Sequence, residues 1–411
     1  MNDLLDFGTV VLVASAGLVL AIGVRMIAVR LGIPTAGLLL VTAAVASDLV
    51  HRLSTILTFQ DVQRITTLAL VVILFEGGSN IGLRRFRRSV VPILTLGIVG
   101  TFATAALLAL VAHVLLDLSW TVSSLIGAAL APTDPAVTFS VLAGREVEGR
   151  SRTILEGESG FNDPVGIALM IGMVELATSD HGSKLSVAEE FLREMGVGLA
   201  IGIAGALAIV AVIKYAPLPD RTLYPIAMIL MVGVIYGAAT VARGSGFLAV
   251  FVAGIGIGDL RFEARRAVRV FNAALGDLGE LAAFVALGLT IDLTLISDAG
   301  LWWRGLVLAV LLGFVVRPLV VGPLVAVMRL TWGERGFLVW SGLKGAVPIL
   351  LASLAVVRGT DYATEIYGIV FVVVLFSVVV QGTLVPTVAE QLGVPMEPTG
   401  REAKAPEKPK L

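Results

Sequence analysis

The sequence predicts an all-α integral membrane protein with about thirteen transmembrane helices. Hydrophobic residues make up 57% of its 411 residues and charged residues only 15%, a balance more apolar and less charged than that of soluble domains. Apolar stretches of about 20 residues, the length that crosses a bilayer as a helix, recur from residue 8 to residue 388. These observations predict one membrane domain over residues 1–394, followed by a tail.

Charged breaks and breaks containing Gly or Pro set the ends of the predicted spans. The spans are expected near 8–29, 31–50, 62–80, 89–115, 120–142, 153–178, 188–213, 222–242, 245–258, 268–290, 301–327, 335–357 and 363–388. The first begins close to Met1 without a basic leader or a cleavage site, so we expect it to be retained as a helix. The stretch 245–258 is shorter and richer in glycine than the others.

Basic residues predict the orientation of the spans. Of the 30 Lys and Arg residues, 21 fall in one alternating set of loops and the tail, and 7 fall in the other set. Because cytoplasmic loops carry the excess of Lys and Arg, we expect an outside N-terminus and a cytoplasmic C-terminus. Residues 395–411 are charged, rich in proline and poor in aliphatic side chains, which predicts a disordered cytoplasmic tail.

Composition also excludes several kinds of site. The chain has no cysteine, so it has neither disulfides nor thiolate chemistry. Three histidines give no support to a histidine-rich metal cluster, and a net charge of -1 gives no electrostatic case for nucleic acid as a partner.

Ionisable side chains at membrane depth are the first candidates for function. Each costs about 2.5–3.5 kcal/mol to insert, so a functional role is the default expectation for every one. They are Glu76, Asp134, Glu158, Asp163, Asp277, Glu280, Arg317 and Lys344.

Asp163 is the strongest candidate for an ion site. At 1.5 Å per residue it lies roughly 15 Å from the end of its span, close to the bilayer midplane. Gly160, Asn162 and Pro164 around it interrupt helical hydrogen bonding and free oxygens beside the carboxylate. Such a set of oxygens suits a hard cation such as Na⁺.

Two spans are interrupted by Gly or Pro, which predicts broken helices that cross at the midplane. In 131–137, prolines bracket Thr133 and Asp134, whereas 341–352 carries Lys344. Seven spans separate them, so they run in opposite directions, as in inverted repeats. Asp134 is expected to neutralise a positive half-helix end, leaving Thr133 to bind the ion. Lys344 is expected to offset the remaining half-helix charge and to pair with Glu158.

The remaining candidates receive supporting roles. Ser159 lies four residues before Asp163, so both are expected to face the ion, whereas Glu158 and Asn162 face the scaffold. Glu76 ends the third span and is expected to reach the funnel of the site or to extend to the membrane interface. Glu280 and Arg317 lie midway along their spans and are expected to form a buried structural ion pair.

Three motifs make the sequence resemble the prokaryotic sodium/proton antiporters of the NhaP type, relatives of the animal sodium/proton exchangers. They are LFEGG at 74–78, APTDPAV at 131–137 with EGESGFNDP at 156–164, and GLKGAVP at 342–348. The resemblance implies a homodimer in the cell membrane, with core helices near 89–178 and 301–388 and dimerisation helices near 8–80 and 188–290. It implies a transporter without a cofactor rather than an enzyme.

The resemblance also implies a role for each candidate. Asp163 would be the carboxylate shared by cation and proton, with Thr133, Ser159 and Glu76 completing the Na⁺ shell. Asn162 would support the site, together with a pair between Glu158 and the base of the last broken helix. In this sequence that base is Lys344, whereas these antiporters usually have an Arg at the position. The two-pronged contact that a guanidinium would make with Glu158 is therefore lost. The pair of Asn162 with Asp163 resembles members that exchange one cation for one proton.

Three other functions remain open from the sequence. The same machine could exchange K⁺ instead of Na⁺, since side-chain types do not set the size of the ion cavity. Residues 256–259 read as the GxGD motif of an intramembrane aspartyl protease, although Asp361 and Tyr362 stand in the reverse order of the second motif. A passive cation channel is the third, and it gives no reason to bury Asp163 as a lone titrating group.

Overall fold

A computed structural model gives the structure and describes residues 2–50, 53, 57–142, 145–147, 149–178, 184–215 and 218–398. Its first nine helices are α1 Asn2–Leu31, α2 Thr35–Leu49, α3 Phe59–Leu94, α4 Thr101–Leu116, α5 Trp120–Leu130, α6 Pro135–Ser140, α7 Gly149–Thr178, α8 Lys184–Tyr215 and α9 Leu223–Val241. The others are α10 Gly246–Ile257, α11 Arg265–Leu289, α12 Leu293–Asp298, α13 Leu301–Leu311, α14 Arg317–Ala326, α15 Trp332–Trp340, α16 Ala346–Val357, α17 Ala363–Phe376 and α18 Val385–Gln391.

Each predicted span falls on one of these helices or on a pair of them. Within the described residues, eight helical stretches are long and apolar enough to cross a membrane, and Phe59–Leu116 alone is 58 residues long. Four shorter apolar helices accompany them, among them α10 at the glycine-rich stretch. The helix α10 is almost wholly buried, so its short length reflects a position inside the protein.

Two predicted spans are broken in the middle, as their prolines and glycines indicate. The span at 120–142 consists of α5 and α6, which are separated at residues 131–134. The span at 335–357 consists of α15 and α16, which are separated at residues 341–345. Irregular backbone at membrane depth is tolerated where protein surrounds it or where it lines a cavity.

In the part of the chain that the structure describes, three π-helical turns interrupt other helices, and the sequence did not predict them. They span Thr95–Gly100, Leu312–Val316 and Ser377–Gln381. A π turn shifts the helical register and re-aims the side chains that follow it, and such turns are frequent at functional sites. The second turn directly precedes Arg317, and the third contains Ser377 and Gln381.

The long helix α3 changes direction at Gly82. The backbone of Gly82 has φ of 69°, a left-handed conformation that favours glycine. The Asp259 carboxylate accepts a hydrogen bond from the Arg84 backbone N–H at 2.7 Å and so caps the segment that restarts there. The two spans predicted at 62–80 and 89–115 are therefore joined by this bend rather than by a loop.

A two-stranded ribbon joins the loop before α7 to the end of the described chain. Strand β1 (Arg145–Val147) pairs in antiparallel register with β2 (Met396–Pro398). The prediction of a disordered tail from residue 395 is therefore wrong for residues 396–398, because backbone hydrogen bonds to β1 order them. Residues 399–411 of the predicted tail lie outside the described residues.

Glycines let α10 approach its neighbours closely. A Cβ on Gly78 would lie 2.3 Å from the Phe251 carbonyl oxygen, and one on Gly254 would lie 2.4 Å from the Phe75 carbonyl oxygen. Small residues at helix contacts allow this approach, which is the usual source of packing energy inside membranes.

We expect Gly160→Ala to destabilise the protein, because a Cβ there would lie 2.0 Å from the buried Phe251 ring. Overpacking of this kind costs about 1–3 kcal/mol, so the thermal unfolding midpoint in detergent should fall. Gly233→Ala is the matched control, since its Cβ would meet no atom within 4 Å. An unchanged midpoint in Gly160→Ala would contradict the close contact of α7 with α10.

Candidate ion-binding site

The candidate site lies where the two broken spans cross. The Asp134 backbone N–H, between α5 and α6, donates to the Leu343 carbonyl between α15 and α16 at 2.8 Å. The Thr138 hydroxyl of α6 donates to the Ser341 carbonyl at 3.2 Å. Extended backbone of each span therefore satisfies polar groups of the other, as membrane burial demands.

Asp134 lies at the N-termini of both half-helices. Its carboxylate accepts a hydrogen bond from the backbone N–H of Ala136 (2.9 Å) in the first turn of α6, and it also lies against Gly345, directly before α16. Gly345 makes this contact possible, because a Cβ there would lie 1.9 Å from Asp134 Oδ2. Helix N-termini carry partial positive charge, so one carboxylate neutralises both.

The C-termini of the other two half-helices each have their own basic side chain. Lys344 Nζ donates to the carbonyls of Ala131 (3.0 Å) and Pro132 (2.8 Å), directly after α5. Arg317 donates to the carbonyls of Leu338 (3.1 Å) and Val339 (3.0 Å), at the end of α15. Both bases offset the partial negative charge of a C-terminus.

The structure corrects both predicted ion pairs. Arg317 Nη2 lies 3.0 Å from Glu158 Oε1, and both residues are about 3% exposed. The predicted pairs of Glu158 with Lys344 and of Arg317 with Glu280 are therefore wrong. The physical reason is geometric: the planar guanidinium donates to a carboxylate and two carbonyls at once, whereas the compact ammonium of Lys344 is used up by two carbonyls.

Asn162 joins α7 to the break between α5 and α6. Its Nδ2 donates to Thr133 Oγ1 at 2.7 Å, and its Oδ1 accepts from the Thr133 backbone N–H at 3.4 Å. Gly166 of the same helix packs against Pro132, since a Cβ there would lie 2.3 Å from the proline ring. Residues 162 and 166 are four apart and share one face of α7, so this face is fixed against the crossing.

Asp163 is buried beside that crossing with unused hydrogen-bonding capacity. Its side chain is 5% exposed, and Oδ1 has no hydrogen-bond partner among the described residues. Ser159, which is also buried, lies four residues earlier and therefore on the same face of α7. A buried carboxylate oxygen without a donor is costly unless a proton or a cation satisfies it.

Two of the predicted acids lie apart from this cluster, at the contact between α3 and α11. The half-buried Glu76 side chain lies against Gly276, where a Cβ would be 2.4 Å from Oε2. Glu280, also half-buried, lies four residues after Gly276 on α11. The two carboxylates therefore belong to neighbouring helices, and the structure does not bring Glu76 into contact with Asp163.

The sequence reasoning missed Ser377 and Gln381, which complete the second break. Gln381 Nε2 donates to the Trp340 carbonyl at 2.7 Å, and Ser377 Oγ accepts from the Lys344 backbone N–H at 3.0 Å. Their spacing of four residues in an otherwise apolar span, which places them on one helix face, was the signal that could have found them.

The protease motif has another explanation in the structure. Asp259 bonds to the backbone at the Gly82 bend, whereas Asp361 lies exposed in the turn before α17. Asp259 is thus a capping residue of α3.

Known transport proteins resemble this chain in sequence. The pattern of the family described as "Sodium/hydrogen exchanger, transmembrane" matches residues 13–391. The K(+)/H(+) antiporter NhaP2 of Shewanella sp. (strain ANA-3) is 30% identical over 338 residues, which cover 81% of this chain and 58% of the relative. The Na(+)/H(+) antiporter ApNhaP of Aphanothece halophytica is 27% identical over 343 residues, or 78% of this chain and 63% of that protein. This chain therefore spans less than two thirds of these relatives.

A solved structure shares the fold. The sodium proton antiporter MjNhaP1 from Methanocaldococcus jannaschii superposes with a TM-score of 0.74 at 23% identity, covering 94% of this chain and 99% of that one. This likeness confirms the predicted all-α membrane fold. The match over most of the membrane region also confirms the resemblance drawn from the three motifs: the chain belongs to the sodium/hydrogen exchanger family.

Proposed function

We propose that the protein exchanges Na⁺ or Li⁺ for H⁺ across the cell membrane, with Asp163 as the carboxylate that both ions share. The observation that carries this proposal is the buried Asp163 oxygen without a protein donor, placed at the crossing of two broken helices. Thr133 and Ser159 supply hydroxyl oxygens beside it, as a hard cation requires. The reaction needs no cofactor and no covalent step.

The charges around the crossing support an exchange of one cation for one proton. Asp134, Glu158 and Asp163 carry three negative charges, and Arg317 and Lys344 carry two positive charges, which leaves one net negative charge. One monovalent cation or one proton cancels it. Only these two neutral forms cross the hydrophobic barrier cheaply, so the empty charged form does not return alone.

Asp134 and Asn162 prepare the site without carrying the ion. Asp134 accepts from the Ala136 backbone N–H and lies against Gly345 before α16, so its charge is balanced by the N-termini of two half-helices. Asn162 holds Thr133 toward α7 through two hydrogen bonds. Glu76 and Glu280 attract cations toward the site, because negative side chains raise the local cation concentration.

The wider assembly follows the same proposal. The protein acts as a homodimer in the lipid bilayer, with the excess of basic residues on the cytoplasmic side and the N-terminus outside. Core helices near 89–178 and 301–388 move against dimerisation helices near 8–80 and 188–290.

K⁺ is the second candidate substrate. It is favoured by the names of the Shewanella relative and of the K(+)/H(+) antiporter NhaP of Alkalimonas amylolytica, which is 32% identical over 337 residues. The same carboxylate chemistry would serve K⁺ in a wider oxygen cage.

A cation panel tests the proposal and decides between these substrates. Wild-type protein is reconstituted in liposomes with an internal pH dye, the voltage is clamped, and NaCl, LiCl or KCl is added outside. We expect the internal pH to rise with Na⁺ and Li⁺ at rates independent of voltage. A response to K⁺ alone would establish the second candidate, and a pH change that needs a voltage would instead establish a conductive channel.

A further inference from the structure

An apolar cavity of about 540 Å³ opens between α4, α5, α7 and α8, apart from the ion site. Ser124 is the only polar side chain among its twelve lining residues. Ala168 of α7 is buried and forms part of the cavity wall. Phe102 and Phe191 also line the cavity, and their rings pack edge to face with centroids 5.2 Å apart.

One close contact closes the cavity at the end near the start of α8. There Gly172 of α7 packs against Val187 of α8, so closely that a Cβ would lie 2.4 Å from the valine. Small side chains line the remaining space, among them Ala105 and Ala109 of α4 and Ala168 of α7. The exposed Ala188 and Leu192 of α8 lie along its open side.

This cavity is suited neither to remaining empty nor to holding water. Empty volume destabilises a protein in proportion to its size, and a water molecule needs two to four polar partners, which the lining lacks. Every lining residue lies within a predicted membrane span or at its end, so the medium at the opening is hydrocarbon.

We propose that this cavity binds the acyl chain of a bilayer phospholipid. The chain enters along the exposed Ala188 and Leu192 of α8, beside the packed rings of Phe102 and Phe191, and reaches Ala168. There it replaces the missing side-chain contacts with dispersion contacts. It lies between α7, which carries Asp163, and α8. The assignment rests on the lining and the bilayer, and it holds whether or not the protein transports cations.

Photolabelling of the intact protein in liposomes tests this proposal. Two phospholipids are compared, one with a diazirine at the end of an acyl chain and one with a diazirine near the headgroup, and labelled residues are mapped by mass spectrometry. We expect the chain-end probe to label Ala168 and Met173 severalfold more than exposed residues of α9. The headgroup probe should not label Ala168.

Filling the cavity should abolish that preference. In Ala168→Leu/Ala188→Leu we expect severalfold less labelling of Met173, whereas Ala238→Leu on the exposed face of α9 should label like wild type. The wild-type comparison of the two probes decides the proposal even if the double variant fails to fold. Equal labelling of all exposed helices by the chain-end probe would overturn it.

Discussion

Asp163→Asn should abolish transport while leaving the protein folded. The amide neither binds a proton at accessible pH nor carries the charge that a cation needs, so both halves of the exchange are lost. Proton flux in liposomes should fall to the rate of empty liposomes for every cation. The free energy of unfolding should stay the same or rise by about 1–3 kcal/mol. The reason is that an uncharged amide replaces a buried carboxylate that has an oxygen without a donor.

Asp361→Asn is the matched control for that variant, since it makes the same substitution at an exposed aspartate before α17. It should transport like wild type. Residual cation-driven proton flux in Asp163→Asn would mean that another carboxylate carries the ion. Asp134 would then be the next to test, because it lies at the same crossing.

Breaking the Arg317–Glu158 pair should have the largest effect on stability. Arg317→Met leaves a buried carboxylate and two helix-end carbonyls without their donor, and removal of one partner of a buried ion pair costs about 3–5 kcal/mol. The thermal midpoint in detergent should fall sharply. Adding Glu158→Gln should recover part of the loss, because the uncompensated charge is then gone.

Arg25→Met provides the comparison for a surface pair. Arg25 lies 3.1 Å from Asp277, but the two side chains are 39% and 53% exposed, so this loss should stay below about 1 kcal/mol. Equal effects of Arg25→Met and Arg317→Met would contradict the special role of Arg317. No recovery in the double variant would mean that Glu158 is stabilised by other groups.

Much of this fold was predictable because membrane burial leaves a strong record in the sequence. Long apolar runs locate the spans, and the prolines around Thr133 and Asp134 locate a break. The buried Asp163 could be singled out from the free-energy cost of placing a charged side chain at membrane depth. Asp134 at helix N-termini and Lys344 at a C-terminus also follow from elementary charge balance.

The partners of the buried bases could not be read in the same way. Spacing along a helix does not tell which of two bases, Arg317 or Lys344, reaches Glu158. The π turn before Arg317 changes its direction, and no periodicity in the sequence predicts it. Charge balance gives a further indication: the two broken helices have two C-terminal ends at the crossing, and Arg317 and Lys344 are the two bases at membrane depth that can neutralise them.

In the proposed exchange, the Asp163 carboxyl group releases its proton when the cation binds. The most direct test adds NaCl to purified protein in weakly buffered detergent solution, at a pH where Asp163 is protonated, and counts the protons released per Na⁺ bound. The account predicts one proton for each cation in wild type and none in Asp163→Asn. Cation binding without proton release, or release that persists in Asp163→Asn, would contradict it.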